Sequence, residues 1–173
     1  MMRTFSRVAA VVLVLLPLNA CHDEPLELSS GASAVSPQAS VSGGPNDVAA
    51  IQQIVNTFDA TWGSDPVTYA GQYADADFIS PDGTNLTSAA AITALYTFLF
   101  TVVFGGSTRT STIRQLTFLT GTVAVLDINA QVTGFGPPGT IARAREKNIL
   151  LKRAGEWRIV QHQQTLLGAG VSF

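Results

Sequence analysis

The chain has 173 residues, with 10 Lys and Arg against 12 Asp and Glu and a formal net charge of −2 at pH 7. Such near-neutrality, with no run of basic residues, excludes the electrostatic footprint of a nucleic-acid binder. One cysteine and two histidines exclude a disulfide framework and a zinc site built on Cys/His clusters, and no metal or other cofactor is expected.

Arg3 and Arg7 precede an apolar run from Val8 to Leu16, which Pro17 breaks and Leu18-Asn19-Ala20-Cys21 closes. This order is that of a secretory signal peptide, too short to span a bilayer in the mature protein. Leu18 stands where an A-x-A cleavage site wants a small residue. Its end resembles a bacterial lipobox, which implies that Cys21 becomes the lipidated first residue after cleavage. Asn19 departs from the small or β-branched residue usual there, and plain secretion with a free thiol is the alternative. The expected product is an exported, membrane-anchored bacterial lipoprotein. In a cell with two membranes, His22 after the cysteine points to the outer one, by resemblance to lipoprotein sorting.

The chain then divides into residues 1–20 as signal, 21–44 as lipidated cysteine and tether, and 45–173 as one domain. The tether is rich in Ser, Gly, Ala and Pro, too poor in bulky apolar surface to offset the entropy of ordering it. Coil scaling gives it a reach of roughly 25 Å.

Pro45-Asn46-Asp47 opens the first helix, with Asn46 as the expected N-cap. Val48, Ile51, Ile54, Val55, Phe58 and Trp62 recur at helical spacing. Gly63 to Pro66 ends that helix, and Ser64 or Asp65 caps a short second one carrying Tyr69 and Tyr73. Ala76 to Ser80 reads as a brief strand turned by Pro81-Asp82-Gly83. A third helix starts at Thr87 or Ser88 and runs through Ile92, Leu95, Tyr96 and Leu99 to about Val103, where Gly105-Gly106 stops it. The last third predicts strands over Thr108–Thr120, Thr122–Val132, Ile141–Lys152 and Glu156–Leu166. Gly134 to Gly139 and Ala154-Gly155 supply the turns. Helices first and a strand meander afterwards make an α+β domain, with three N-terminal helices on a curved antiparallel sheet.

Several landmarks keep the order and spacing of the SnoaL-like group of the nuclear-transport-factor-2-like superfamily, and of its SgcJ/EcaC subgroup in particular. They are Ile51 to Trp62 followed by Gly-Ser-Asp, Tyr69-Ala70-Gly71-Gln72-Tyr73-Ala74-Asp75-Ala76-Asp77-Phe78, Ser80-Pro81-Asp82-Gly83, Ala90-Ala91-Ile92 and Gly155-Glu156-Trp157-Arg158-Ile159-Val160. The resemblance spans about residues 46–166 and implies a cone-shaped fold with a pocket at its open end. Its members include isomerases, cyclases, hydratases and pure binders, so fold does not fix function. It also implies a tendency to form homodimers through the sheet. Where the ketosteroid isomerase branch carries its aspartate base, this chain has Ser80, and where that branch carries its oxyanion-hole tyrosine, it has Phe58. A serine without a partner is no carbon-acid base, and a phenyl ring offers no O–H to an enolate.

Regular pairing about Ala154-Gly155 sets Lys152 opposite Trp157, Leu150 opposite Ile159, Asn148 opposite Gln161 and Glu146 opposite Gln163, all on one sheet face. This predicts a pocket in which Asn148, Gln161 and Gln163 orient a ligand against Trp157 and Ile159, with Tyr73 at the mouth. Family members often carry a histidine six residues after the tryptophan, where this chain has Gln163. Asp127, with Asn129 and Gln131, alternates on the preceding strand. A buried Asp127 or Glu146 with a raised pKa is the candidate acid or base. A half-exposed polar sheet edge is the alternative for this strip. Arg143, Arg145, Lys147, Arg158 and His162 fall on the other face, His162 in a structural role.

Three functions follow. The first is a lipid-anchored domain that binds a small apolar molecule. The second is a SnoaL-like enzyme using Asp127 or Glu146 for proton transfer. The third is a dimeric interaction module, which requires a dry apolar patch at Ile149, Leu151 and Val160 and no enclosed pocket.

Overall fold

The computed structural model describes residues 43–168. The signal segment, Cys21, the tether up to residue 42 and residues 169–173 lie outside the described residues. No helix among the described residues is long and apolar enough to cross a membrane.

Helix α1 spans Pro45–Thr61 and buries Ile51, Ile54, Val55 and Phe58 on one face. Its N-cap is Gly44, which has no side-chain bond to offer, and not Asn46; Pro45 takes the first helical position, where its missing N–H costs nothing. Trp62 caps the C-terminus through its N–H to the Phe58 carbonyl at 3.1 Å. Gly63 then turns the chain at φ 67°. A Cβ there would lie 2.5 Å from the Phe104 carbonyl oxygen, so both the backbone angle and the close approach require glycine. Helix α2 (Pro66–Ala70) is capped by Asp65, whose side chain accepts the Thr68 N–H at 3.0 Å.

Strand β1 (Tyr73–Ile79) begins where the second helix was expected to continue, so Tyr73 belongs to the sheet. It turns through Pro81-Asp82-Gly83 into the two-residue strand β2 (Asn85–Leu86). Helix α3 (Ala89–Val102) follows, capped by the Ser88 side chain, and buries Ile92, Tyr96 and Phe100. Strands β3 (Thr108–Thr120), β4 (Val123–Thr133), β5 (Ile141–Arg153) and β6 (Glu156–Leu167) complete a six-stranded sheet in the order β2-β1-β6-β5-β4-β3. All neighbours are antiparallel except β1 with β6. This is the α+β architecture that the element order predicts, in the cone shape that the resemblance implies.

The register of β5 with β6 departs from expectation. Ala154 and Gly155 have φ 51° and 86°, as a two-residue hairpin turn requires. Lys152↔Trp157 and Leu150↔Ile159 pair as expected. A β-bulge then inserts Val160, so Ile149 pairs with Gln161, Asn148 with His162 and Glu146 with Gln164. One extra residue reverses the facing of every side chain beyond it. His162 therefore points into the cone, whereas Gln161 and Gln163 face outward.

Inside, the three helices and the concave sheet face share one apolar core that includes Phe58, Tyr69, Phe78, Ile92, Leu126, Leu150 and Ile159. Fully burying each of the larger side chains contributes about 1.5–3 kcal/mol relative to exposure.

Candidate functional site

Between α3, the β1–β2 turn and the open end of the sheet lies a cavity of about 420 Å³. Helix α3 supplies Ala91, Leu95 and Leu99 at successive turns, and Tyr96 beside them. Phe78, Leu86, Phe104 and Leu166 extend the apolar wall, while the small side chains of Ala130, Ala142 and Ala144 leave the space open on the sheet side. Polar groups are few. Ser80, Asp82 and Thr84 sit at the exposed mouth, Gln164 lies on β6, and Arg109 stands among the buried lining residues. Size, apolar lining and a handful of polar groups are what a small-molecule site requires.

Arg109 is the strongest feature of this end. It is the second residue of β3, is 3% exposed, and its η nitrogens donate to both oxygens of Glu146 at 2.8 and 2.9 Å. It also donates to the Tyr69 hydroxyl at 3.1 Å, and its Nε lies 3.4 Å from Asp59. The rings of Phe58, Trp62 and Tyr69 surround the guanidinium, at 5.4 to 5.9 Å from its carbon. Burial alone would raise the Glu146 carboxyl, but the Arg109 charge and its hydrogen bonds outweigh burial and hold it below its ordinary value. The same pairing outweighs burial at Arg109 and raises its pKa. The expectation of a raised carboxyl at Glu146 is thereby corrected: it is an ionised counter-ion.

Deeper in the cone, His162 Nδ1 lies 2.8 Å from Asn148 Oδ1. Burial is the main force that lowers the imidazole to about 4, assisted by Arg109 and opposed by Glu146, so the ring is neutral at pH 7. With the Asn148 oxygen facing it, Nδ1 carries the proton and donates. His162 Nε2, Asn148 Nδ2 and the Tyr73 hydroxyl are buried without partners among the described residues. Phe78 stacks on the His162 ring at 4.5 Å and itself lines the cavity. Burial holds the Tyr69, Tyr73 and Tyr96 hydroxyls protonated by raising their pKa well above normal.

The six expected ligand-binding residues are placed elsewhere, and none lines the cavity. Tyr73 is 3% exposed and packed edge-on against Phe78 and His162. Trp157 packs on Phe118 and donates its Nε1–H to Asp47 at 3.0 Å, and Ile159 is fully buried in the core. Asn148 faces inward but holds His162. Gln161 and Gln163 lie on the outer face because of the Val160 bulge. Asp127 pairs in register with Lys147 on that same outer face and makes ion pairs with Arg114 and Arg145 at 3.1 and 3.3 Å; the β4 residues facing inward are Leu126 and Ile128. It does not line the cavity. His162 moves the opposite way, from the outer face to the interior.

Sequence reasoning missed the α3 wall, although Ala91, Leu95 and Leu99 repeat at four-residue spacing, and it missed Arg109, the one charged residue at an inward position of β3. Among the described residues, no group of three or more His, Cys, Asp and Glu side chains gathers to hold a metal.

Comparison with known proteins agrees with this architecture. No protein-family model and no curated protein matches the chain. Solved structures do. A domain of unknown function with a cystatin-like fold from Nostoc punctiforme is 18% identical, with a TM-score of 0.62 over 73% of this chain and 81% of that one. A ketosteroid isomerase-like protein from Erwinia carotovora is 15% identical, with a TM-score of 0.61 over 72% of this chain and 99% of that one. A nuclear-transport-factor-2-like protein of unknown function from Shewanella oneidensis is 15% identical, with a TM-score of 0.58 over 69% of this chain and 98% of that one. At these identities the likeness establishes the fold: a nuclear-transport-factor-2-like cone.

Proposed function

We propose that this protein is an exported, lipid-anchored domain that binds a small, largely apolar molecule in its cone. The observation that carries the reading is the cavity of about 420 Å³ walled by apolar side chains. Its titratable lining residues offer no competent base. Arg109 is engaged by Glu146, and burial keeps Tyr96 protonated. The Asp82 carboxyl is lowered to about 2, chiefly by the Ser80 hydroxyl and then by Thr84, which makes it a weak proton acceptor. Ser80 and Phe58 stand where the ketosteroid isomerase resemblance calls for aspartate and tyrosine. These features favour binding over a SnoaL-like enzyme acting through Asp127 or Glu146. The apolar cavity between α3 and the sheet, with Arg145 and Lys147 standing on the outer sheet face, likewise favours binding over a pure interaction module. In this reading Cys21 carries the lipid, the tether holds the domain near the membrane, outer if the cell has two, and the protein is a homodimer.

Titration with the neutral fluorophore N-phenyl-1-naphthylamine tests the binding site. Wild type and Gln163→Ala bind alike, Gln164→Ala binds more weakly, and Ala144→Phe, which fills the cavity from β5, binds least. Absence of binding to wild type, or equal binding to Ala144→Phe, refutes the site. Metabolic labelling with a radioactive fatty acid, present in the full chain and lost in Cys21→Ser, tests the anchor.

A further inference from the structure

We infer that Glu146 is an internal counter-ion that sets ligand class, so that the cavity takes electrically neutral apolar molecules and rejects their carboxylate counterparts. The inference rests on the binding reading. Among the described residues that line the cavity, Arg109 is the only Lys, Arg or His, and in an apolar pocket such a group is the natural partner for a ligand carboxylate. Here the two η nitrogens donate to the two oxygens of Glu146, one of them also to the Tyr69 hydroxyl, while Nε donates to the Ser111 hydroxyl at 3.0 Å and lies 3.4 Å from Asp59. Asp59 is itself anchored by the Ser111 N–H at 2.8 Å and the Ser111 hydroxyl at 2.6 Å. Two carboxylates thus face one guanidinium, which leaves the inner end of the site with surplus negative charge. Asp82 adds another carboxylate at the mouth. An entering anion would shed its water beside like charges and find no free cation. Burying an unpaired charge in this way is among the most costly steps in binding. A neutral ligand meets no such barrier, and Gln164 can hold one polar group.

The geometry also says how the preference is set. On β5, Ala142, Ala144 and Glu146 face inward in succession, opposite Val132, Ala130 and Ile128. Glu146 therefore stands one rung beyond Ala144, where the cavity wall ends. Truncating it to alanine lengthens the cavity by that rung and opens the guanidinium to a ligand's own carboxylate.

The test is competition of 1-decanol and decanoate against N-phenyl-1-naphthylamine on the purified protein. For wild type near pH 7.5, decanol is expected to bind at least about tenfold more tightly than decanoate. Lowering the pH to about 4.5, around the ionisation of a carboxylic acid, is expected to narrow that gap severalfold or more. In Glu146→Ala, decanoate is expected to gain at least about tenfold in affinity while decanol changes by no more than about threefold. Equal or tighter binding of decanoate to wild type near pH 7.5 overturns the inference, as does a folded Glu146→Ala protein with no gain for decanoate. Should Glu146→Ala not fold, the wild-type pH comparison decides alone. Failure of wild type to bind the neutral fluorophore is a different result, and it overturns the binding reading itself.

Discussion

Replacing Arg109 with methionine tests whether the inner end of the cone is built as described. The substitution keeps an unbranched apolar side chain in place but leaves Glu146, 1% exposed, without its bidentate partner. Removing one member of a buried ion pair typically costs about 3–5 kcal/mol, because the remaining charge is stranded. For a domain of this size that corresponds to a fall in Tm of roughly 10–20 °C. The pH dependence should reverse as well. In wild type the Glu146 carboxyl lies below its ordinary value, so its contribution is present above the unfolded-state pKa and lost as pH falls. In Arg109→Met, burial, the largest influence on that carboxyl, is opposed only by the weaker effect of His162 and lifts it above its unfolded value. The variant then regains stability as the pH drops and the carboxyl takes up a proton, and it loses stability as the pH rises. The double variant Arg109→Met/Glu146→Leu removes both charges and should recover most of the loss, since apolar replacements of buried pairs are often neutral. Urea unfolding of wild type, Arg109→Met, Glu146→Leu and the double variant at acidic and alkaline pH gives the complete cycle. A loss below about 1 kcal/mol for Arg109→Met, the scale of an exposed pair, would refute the reasoning. So would a deficit that does not change with pH.

Two further outcomes follow from the same interior. His162 is held neutral with its pKa lowered from 6.5 to about 4, so folding is favoured above the unfolded value and loses about 3 kcal/mol as pH falls from 6.5 through about 4. Proton NMR of its ring, distinguished from His22 by His22→Gln, should show a midpoint near the lower figure; titration near 6.5 would mean that the ring is not buried. Gly63→Ala should lower Tm by more than Gly106→Ala. Both glycines have positive φ, but only at Gly63 does a Cβ meet backbone, 2.5 Å from the Phe104 oxygen, whereas at Gly106 it meets nothing within 4 Å. Equal losses measured by calorimetry would show that backbone angle alone is responsible.

Local sequence determined most of the scaffold. The apolar repeat from Ile51 to Phe58, the Asp65 and Ser88 caps, and the strand alternation from Thr108 onward each act over a few residues; α1, α3 and the four long strands form where these signals place them, and α2 starts as expected but ends at Ala70, short of Tyr73. The hairpin at Ala154-Gly155 and its first pairs were equally legible, because a two-residue turn sets register by itself. What only tertiary structure decided is which side chains share the interior. The Val160 bulge carries no composition signal, yet a period of two makes one inserted residue exchange His162 for Gln163, and the predicted polar strip disperses across both faces. Asp127 was misplaced for a related reason: alternation gives two equivalent faces, and only packing against α1 and α3 says which is inside. Arg109 and Glu146 lie 37 residues apart in the chain, so nothing local joins them. They meet because β3 and β5 flank β4 on one curved sheet, and both are buried there, where neither charge is stable without the other.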